Sequence, residues 1–294
     1  LGLHTSNRLR VAAIDFLNPA PLMWDFEHPP RDAALANRYH VRYTLPSLCA
    51  DDLLSGRADL GLIPIASLTP ELAIVPGCTI ASLERVRSIQ LIVKSADRSE
   101  TAETVLAHVR TVAADTASRS SLAYAQILFR KFIHTDPQFL AAPADPIAML
   151  AHADAALLIG DPALLALEDR AHIEQSAGPC LWLDLARMWI THARVPWVAA
   201  VWAVRPGALA ASGVTSMQLI DDLQQSRTNG LGHIESLVAE WAPRIAIPPD
   251  TIRNYLTHNI HYTLSPDCIA AIEVFRRCAA EADILPPLPT LRFL

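Results

Sequence analysis

Residues 39–65, YHVRYTLPSLCADDLLSGRADLGLIPI, carry the pattern that decides the architecture. Residues 39–45 read as a strand and residues 58–65 as a second, more apolar one. Between them, residues 47–56 begin with the capping residue Ser47 and stop at Gly56, as a short helix does. Strands joined through one short helix lie parallel, because a parallel pair needs a crossover, so the stretch is one unit of an α/β lobe. Upstream, residues 9–14 (LRVAAI) form a buried-strand candidate. It opens at its C-terminal end into the loop Asp15-Phe16-Leu17-Asn18-Pro19.

Downstream the rhythm repeats. Residues 86–93 alternate like a strand and are expected to run between two lobes. Strands are then expected at 111–114, 138–142 and 155–159, separated by helices at 118–132 and 146–152. Residues 198–204 (VAAVWAV) look like a return strand, and 212–282 like mainly helical material closing onto the first lobe. The expected architecture is a two-lobed α/β chain with residues 1–92 opening lobe 1, 93–200 forming lobe 2 and 201–294 returning to lobe 1. Two crossings make a double hinge about which the lobes can turn as rigid bodies. The proline-rich ending Pro286-Pro287-Leu288-Pro289 reads as a capping tail.

Composition excludes several classes. Of 294 residues, 51% are hydrophobic and only 18% charged, which is the balance of a folded chain. A net charge of −6 without any basic cluster speaks against nucleic acid, whose binding needs concentrated Lys and Arg. The longest apolar run, residues 195–204, falls short of the roughly 20 residues that span a bilayer. No basic segment leads into an apolar one before the first strand, so a cytoplasmic protein without a membrane partner is expected. The five cysteines are an odd set without a Cys-x-x-Cys pair, and the eleven histidines include no His-Glu-x-x-His, so neither a disulfide framework nor a metal site is implied. A glycine-rich phosphate loop and a Gly-x-Ser-x-Gly elbow are both missing. No cofactor is expected, and the partner implied is a small molecule.

Open α/β sheets bind ligands beyond the C-terminal ends of their strands. That rule selects Asn18 after the first strand, Pro64 and Ser67 after the third, Arg87 and Ser88 at the hinge, Ser118-Arg119-Ser120-Ser121, and Gly160-Asp161. The serine-rich segment starts a helix, whose unpaired N–H groups and dipole can hold a carboxylate without a lysine; simple capping by Ser118 is the competing reading. Gly160 allows close approach of a ligand and Asp161 can accept from a hydroxyl, unless Asp161-Pro162 only starts the next helix. Asn18 is a poor base but a good fixed hydrogen-bond partner, or else an Asx turn before Pro19. Trp182, Trp189, Trp197 and Trp202 read as core.

Taken together these segments resemble the chorismate dehydratase family of the futalosine route to menaquinone. Phe16-Leu17-Asn18-Pro19-Ala20-Pro21-Leu22 looks like its opening motif, and Ala58-Asp59-Leu60-Gly61-Leu62-Ile63-Pro64 is similar to its second signature. Val86-Arg87-Ser88, Asp115 with Ser118 to Ser121, Gly160-Asp161, Pro196-Trp197-Val198, and Tyr255-Leu256 with Asn259-Ile260 and Tyr262 follow in the family's order. Asp15-Phe16 stands where the family commonly has Ser-Tyr, and Leu83-Glu84-Arg85 replaces a Gly-Pro turn. The resemblance implies a type II periplasmic-binding-protein-like fold and a carbon–oxygen lyase that converts chorismate to 3-[(1-carboxyvinyl)oxy]benzoate and water. It implies Asn18 and Ser88 as catalytic residues, and Arg87, Ser118, Arg119, Ser120, Gly160 and Asp161 as substrate contacts. A solute-binding protein for a small carboxylate, or the related 1,4-dihydroxy-6-naphthoate synthase, are the alternatives.

Overall fold

The computed structural model describes residues 8–95, 101–287 and 290–294. Eleven strands among these residues form two sheets. The first is built from β1 (Leu9–Ile14), β2 (Tyr39–Thr44), β3 (Leu60–Pro64), β4 (Ala73–Ser82), β10 (Trp197–Val204) and β11 (His261–Thr263), in the order β11-β4-β10-β3-β1-β2. The second contains β5 (Ile89–Lys94), β6 (Thr111–Asp115), β7 (Gln138–Ala142), β8 (Ala155–Ile159) and β9 (Cys180–Asp184), in the order β7-β6-β8-β5-β9. Parallel pairing of β1 with β2 and β3, and of β6 with β7 and β8, follows from the helical crossovers between them. β10 runs antiparallel to both β3 and β4, and β5 antiparallel to both β8 and β9.

The chain therefore crosses between sheets twice, before β5 and before β10. The lobe limits expected at 92 and 200 both fall inside strands, β5 of the second sheet and β10 of the first; of the 86–93 segment, residues 86–88 lie in the crossing and the rest belongs to β5. The helix expected at 118–132 is shorter, running from Ser120 to Ile127 and then widening into π turns at Leu128–Ile133. The helix expected to be capped by Ser47 starts one residue earlier, with Pro46 in the first turn and no side-chain cap. Of the expected leader-free start and proline-rich tail, residues 1–7 and 288–289 lie outside the described residues.

Strands β3, β8 and most of β10 and β1 are buried on both faces, as strands covered by helices on two sides must be. Trp189, Trp197 and Trp202 are fully buried, as expected of core residues, whereas Trp182 is only half-buried. The return segment is clamped to the first by charge as well as by packing. Asp222, on the helix Ser216–Gly232, accepts from Arg31 at 2.7 Å, Arg38 at 2.9 Å and the Tyr39 hydroxyl at 2.9 Å. These charge-assisted bonds satisfy a buried carboxylate that would otherwise be costly.

Candidate active site

The C-terminal ends of β1 and β3 from one lobe and of β8 from the other meet across a gap, with the start of β5 alongside. The cavity there is lined by Ile14, Phe16, Asn18 and Pro64, by Ser88, Ile89, Ser118, Ser120 and Ser121, by Ile159 and Gly160, and by Trp197 and Ala199 of β10. No lining residue carries a charge. A carboxylate held here must rely on neutral donors, in a space where poor solvent screening strengthens each bond. The cavity measures about 50 Å³. Cavities that hold benzene measure about 150 Å³, so a ring-sized guest enters only when the lobes part.

Asn18 reaches the cavity from the loop after β1, and its Oδ1 is buried without a hydrogen-bond partner. Buried polar atoms are nearly always satisfied, so this acceptor marks a place where a ligand donor belongs. Trp197, another lining residue, has an indole N–H that is likewise buried and unpartnered. Ser88 is buried, and its Oγ accepts from the Tyr255 hydroxyl at 2.7 Å. That bond leaves the serine proton available to a guest. Tyr255 is itself buried, which raises its pKa above the ordinary tyrosine value by desolvation, with Asp161 and Asp184 adding to the effect; it stays a donor.

Gly160 sits where Phe16 of the first lobe meets the second. Its N–H donates to the Ser88 carbonyl at 2.8 Å, and its φ of 62° suits glycine. A Cβ at this position would lie 2.7 Å from the Phe16 ring, so the absent side chain is what lets Phe16 of the first lobe rest on the second. Beside it, the Asp161 carboxylate accepts from the Leu17 N–H at 3.0 and 3.3 Å. Burial pushes the Asp161 pKa up to about 6, against the opposing influence of the Leu17 N–H and Arg244 and with help from Asp15. Asp161 is thus a latch between the lobes and not a lining residue.

The serines have structural duties too. Ser118 Oγ accepts from the Ser121 N–H at 3.1 Å, which is the capping reading, while its side chain still lines the cavity. Ser120 Oγ donates to the Ala199 carbonyl at 2.9 Å and accepts from the Ala66 N–H at 3.3 Å, tying the second lobe to the first.

The two arginines expected at the substrate are placed elsewhere. Arg119 pairs with Asp51 at 2.7 Å across the lobes. Arg87 turns away from the cleft into another cavity, because its backbone adopts φ 63° while its N–H and that of Val86 are held by the Asp184 carboxylate, at 2.6 and 3.1 Å. Burial raises the Asp184 pKa, and the amides it accepts from oppose the rise. Phe16, Tyr255 and Trp197 join the site without having been selected from the strand-end rule. Phe16 was visible only as part of a motif, and Tyr255 lies far along the chain with no local signal for contact with Ser88.

Fold and site together define a two-lobed, periplasmic-binding-protein-like α/β protein with a neutral cleft. The sequence matches the menaquinone biosynthesis family over residues 9–281, and the chain belongs to that family. It is 26% identical over 279 residues to the chorismate dehydratase of Thermus thermophilus, covering 88% of this chain and 95% of that protein. The crystal structure of a protein from Archaeoglobus fulgidus matches with a TM-score of 0.70 and 14% identity, over 95% of this chain and 99% of that one. A Candida albicans gene product described as exhibiting the generic periplasmic binding protein fold matches with a TM-score of 0.64 and 11% identity, over 95% and 91% of the two chains. Among the described residues, no helix is long and apolar enough to cross a membrane.

Proposed function

We propose that this chain is a cytoplasmic hydro-lyase that converts chorismate to 3-[(1-carboxyvinyl)oxy]benzoate and water in menaquinone biosynthesis. The observation that carries the reading is the meeting of Asn18, with its partnerless Oδ1, and the Ser88 hydroxyl on one uncharged cavity between the lobes. Membership of the menaquinone biosynthesis family and similarity to a chorismate dehydratase support it.

The reaction breaks one ring C–H bond beside the enolpyruvyl ether and the neighbouring C–OH bond, and the released proton and hydroxide make water. The ring becomes aromatic, so the driving force resides in the substrate. The protein has to orient the reacting groups and stabilise developing charge, which fixed neutral donors do well in a closed cavity. No titratable side chain lines the cavity. The substrate's own side-chain carboxylate therefore takes the ring proton, while Asn18 and Ser88 hold the reacting groups. Asp161, the alternative base, has its carboxylate turned to Leu17 and serves the closed form instead.

The test is an ultraviolet assay of purified protein with chorismate. The wild type makes the aromatic product, and Asn18→Ala and Ser88→Ala each lose about 10²- to 10³-fold in kcat, the range for removing one oriented donor. Near-wild-type turnover in both variants would overturn the assignment.

A further inference from the structure

A second cavity, of about 500 Å³, in the range of small-molecule sites, shares no lining residue with the cleft. Arg85, Arg87, Arg170 and Arg187 line it, over an apolar floor that includes Leu106, Ile133 and Met188. Two carboxylates, Glu103 and Asp184, line the cavity with them, as does His192. That of Asp184 is already occupied by the backbone N–H groups of Val86, Arg87 and Arg187, the last at 3.0 Å. Arg170 is engaged as well, by Glu174 at 2.7 Å and by the Trp182 ring, whose centroid is 5.4 Å away.

The other three arginines are under-used. Arg85 and Arg187 join no side-chain ion pair among the described residues. Arg87 lies 3.6 Å from Glu168, beyond hydrogen-bond reach, and its Nε is buried without an acceptor. A buried guanidinium N–H without a partner is rare, because Arg carries five donors and each costs free energy when left dry and unpaired. The backbone that presents it is fixed in the left-handed region by the Asp184 carboxylate, so the guanidinium is aimed before any guest arrives.

We propose that this cavity is a second ligand site, for a small aromatic carboxylate. The carboxylate would pair with the guanidinium groups of Arg87 and Arg187, whose planar forks match its two oxygens. The ring would lie on Leu106, Ile133 and Met188, beside Trp182. The site does not depend on what the cleft binds.

Benzoate is the probe, measured by calorimetry on the full chain, with inorganic phosphate as the comparison. Benzoate binds wild type and Asn18→Ala alike, within about twofold, while a chain carrying both Arg87→Glu and Arg187→Glu binds at least about tenfold more weakly, and phosphate binds more weakly than benzoate. Met188→Trp keeps every charge but fills the floor, and it too blocks benzoate, which separates loss of the site from a charge reversal that fails to fold. Four results would overturn the proposal: no benzoate binding at millimolar concentration, binding lost in Asn18→Ala but kept in the charge-reversed chain, binding unchanged in Met188→Trp, or phosphate binding as tightly as benzoate.

Discussion

Arg87 and Ser88 are neighbours in the chain and face two cavities of opposite character. On the Ser88 side the lining is uncharged, the space is about 50 Å³, and Asn18 supplies a buried acceptor without a partner. On the Arg87 side four arginines surround about 500 Å³. The turn between them allows this, because φ 63° at Arg87 sends its side chain away from the cleft while Ser88 enters it. On the proposed assignment of the cleft, charge density is a poor guide to where the chemistry sits. A site that must let a substrate carboxylate act as a base is better built from neutral donors, since a guanidinium paired with that carboxylate would lower its basicity.

Variants on the cleft side sharpen this contrast. After the losses expected for Asn18→Ala and Ser88→Ala, the largest effect belongs to Gly160→Ala. The new Cβ meets the Phe16 ring, and left-handed backbone costs an L-residue roughly 1–3 kcal/mol, so kcat/KM falls about tenfold or more. Trimming the ring in a Phe16→Leu, Gly160→Ala double variant returns part of that loss, measured in the same chorismate assay. Next comes Tyr255→Phe, which removes the hydroxyl that fixes Ser88. One hydrogen bond is worth about 1 kcal/mol, so kcat drops about threefold to tenfold. In a Ser88→Ala background the same change has no further effect, a coupling that a double-mutant cycle reads directly.

The smallest effect on kcat is that of Asp161→Asn, and the sign of its effect on KM follows from the pKa. A carboxyl raised to about 6 in the closed form prefers to be neutral there, so closure takes up a proton between the ordinary aspartate value and about pH 6. Above that window closure must bury a charge, and wild-type KM for chorismate rises about tenfold as pH climbs from 5 to 8. Asparagine keeps an acceptor for the Leu17 N–H without the charge, so the variant's KM is flat across this range and kcat is retained. A collapse of kcat at unchanged KM would instead make Asp161 the proton acceptor.

Much of this arrangement was legible in the sequence because strands buried on both faces leave continuous apolar runs. β1, β3 and β8 announce themselves that way, and residues at or just beyond their ends, Asn18, Pro64 and Gly160, do line the cleft. β4 was not legible, since Pro76 and Gly77 interrupt its pattern; in the structure they sit where the pairing with β10 shifts register. β9 hid for a different reason: four of its five residues are only half-buried, so the sequence shows no clean alternation. The arginines misled because adjacency along a chain says nothing of side. Arg87 stands next to Ser88 and Arg119 next to Ser118 and Ser120, yet neither reaches the cleft cavity. The Tyr255–Ser88 bond, between residues 167 positions apart, leaves no local trace at all.

The most direct test is a crystal structure of the protein with 3-[(1-carboxyvinyl)oxy]benzoate bound. The account predicts the product's ring between Asn18 and Ser88, with its carboxylates on neutral donors and Phe16 closed over Gly160. Finding the cleft shut and the product held solely among Arg85, Arg87 and Arg187 would contradict it.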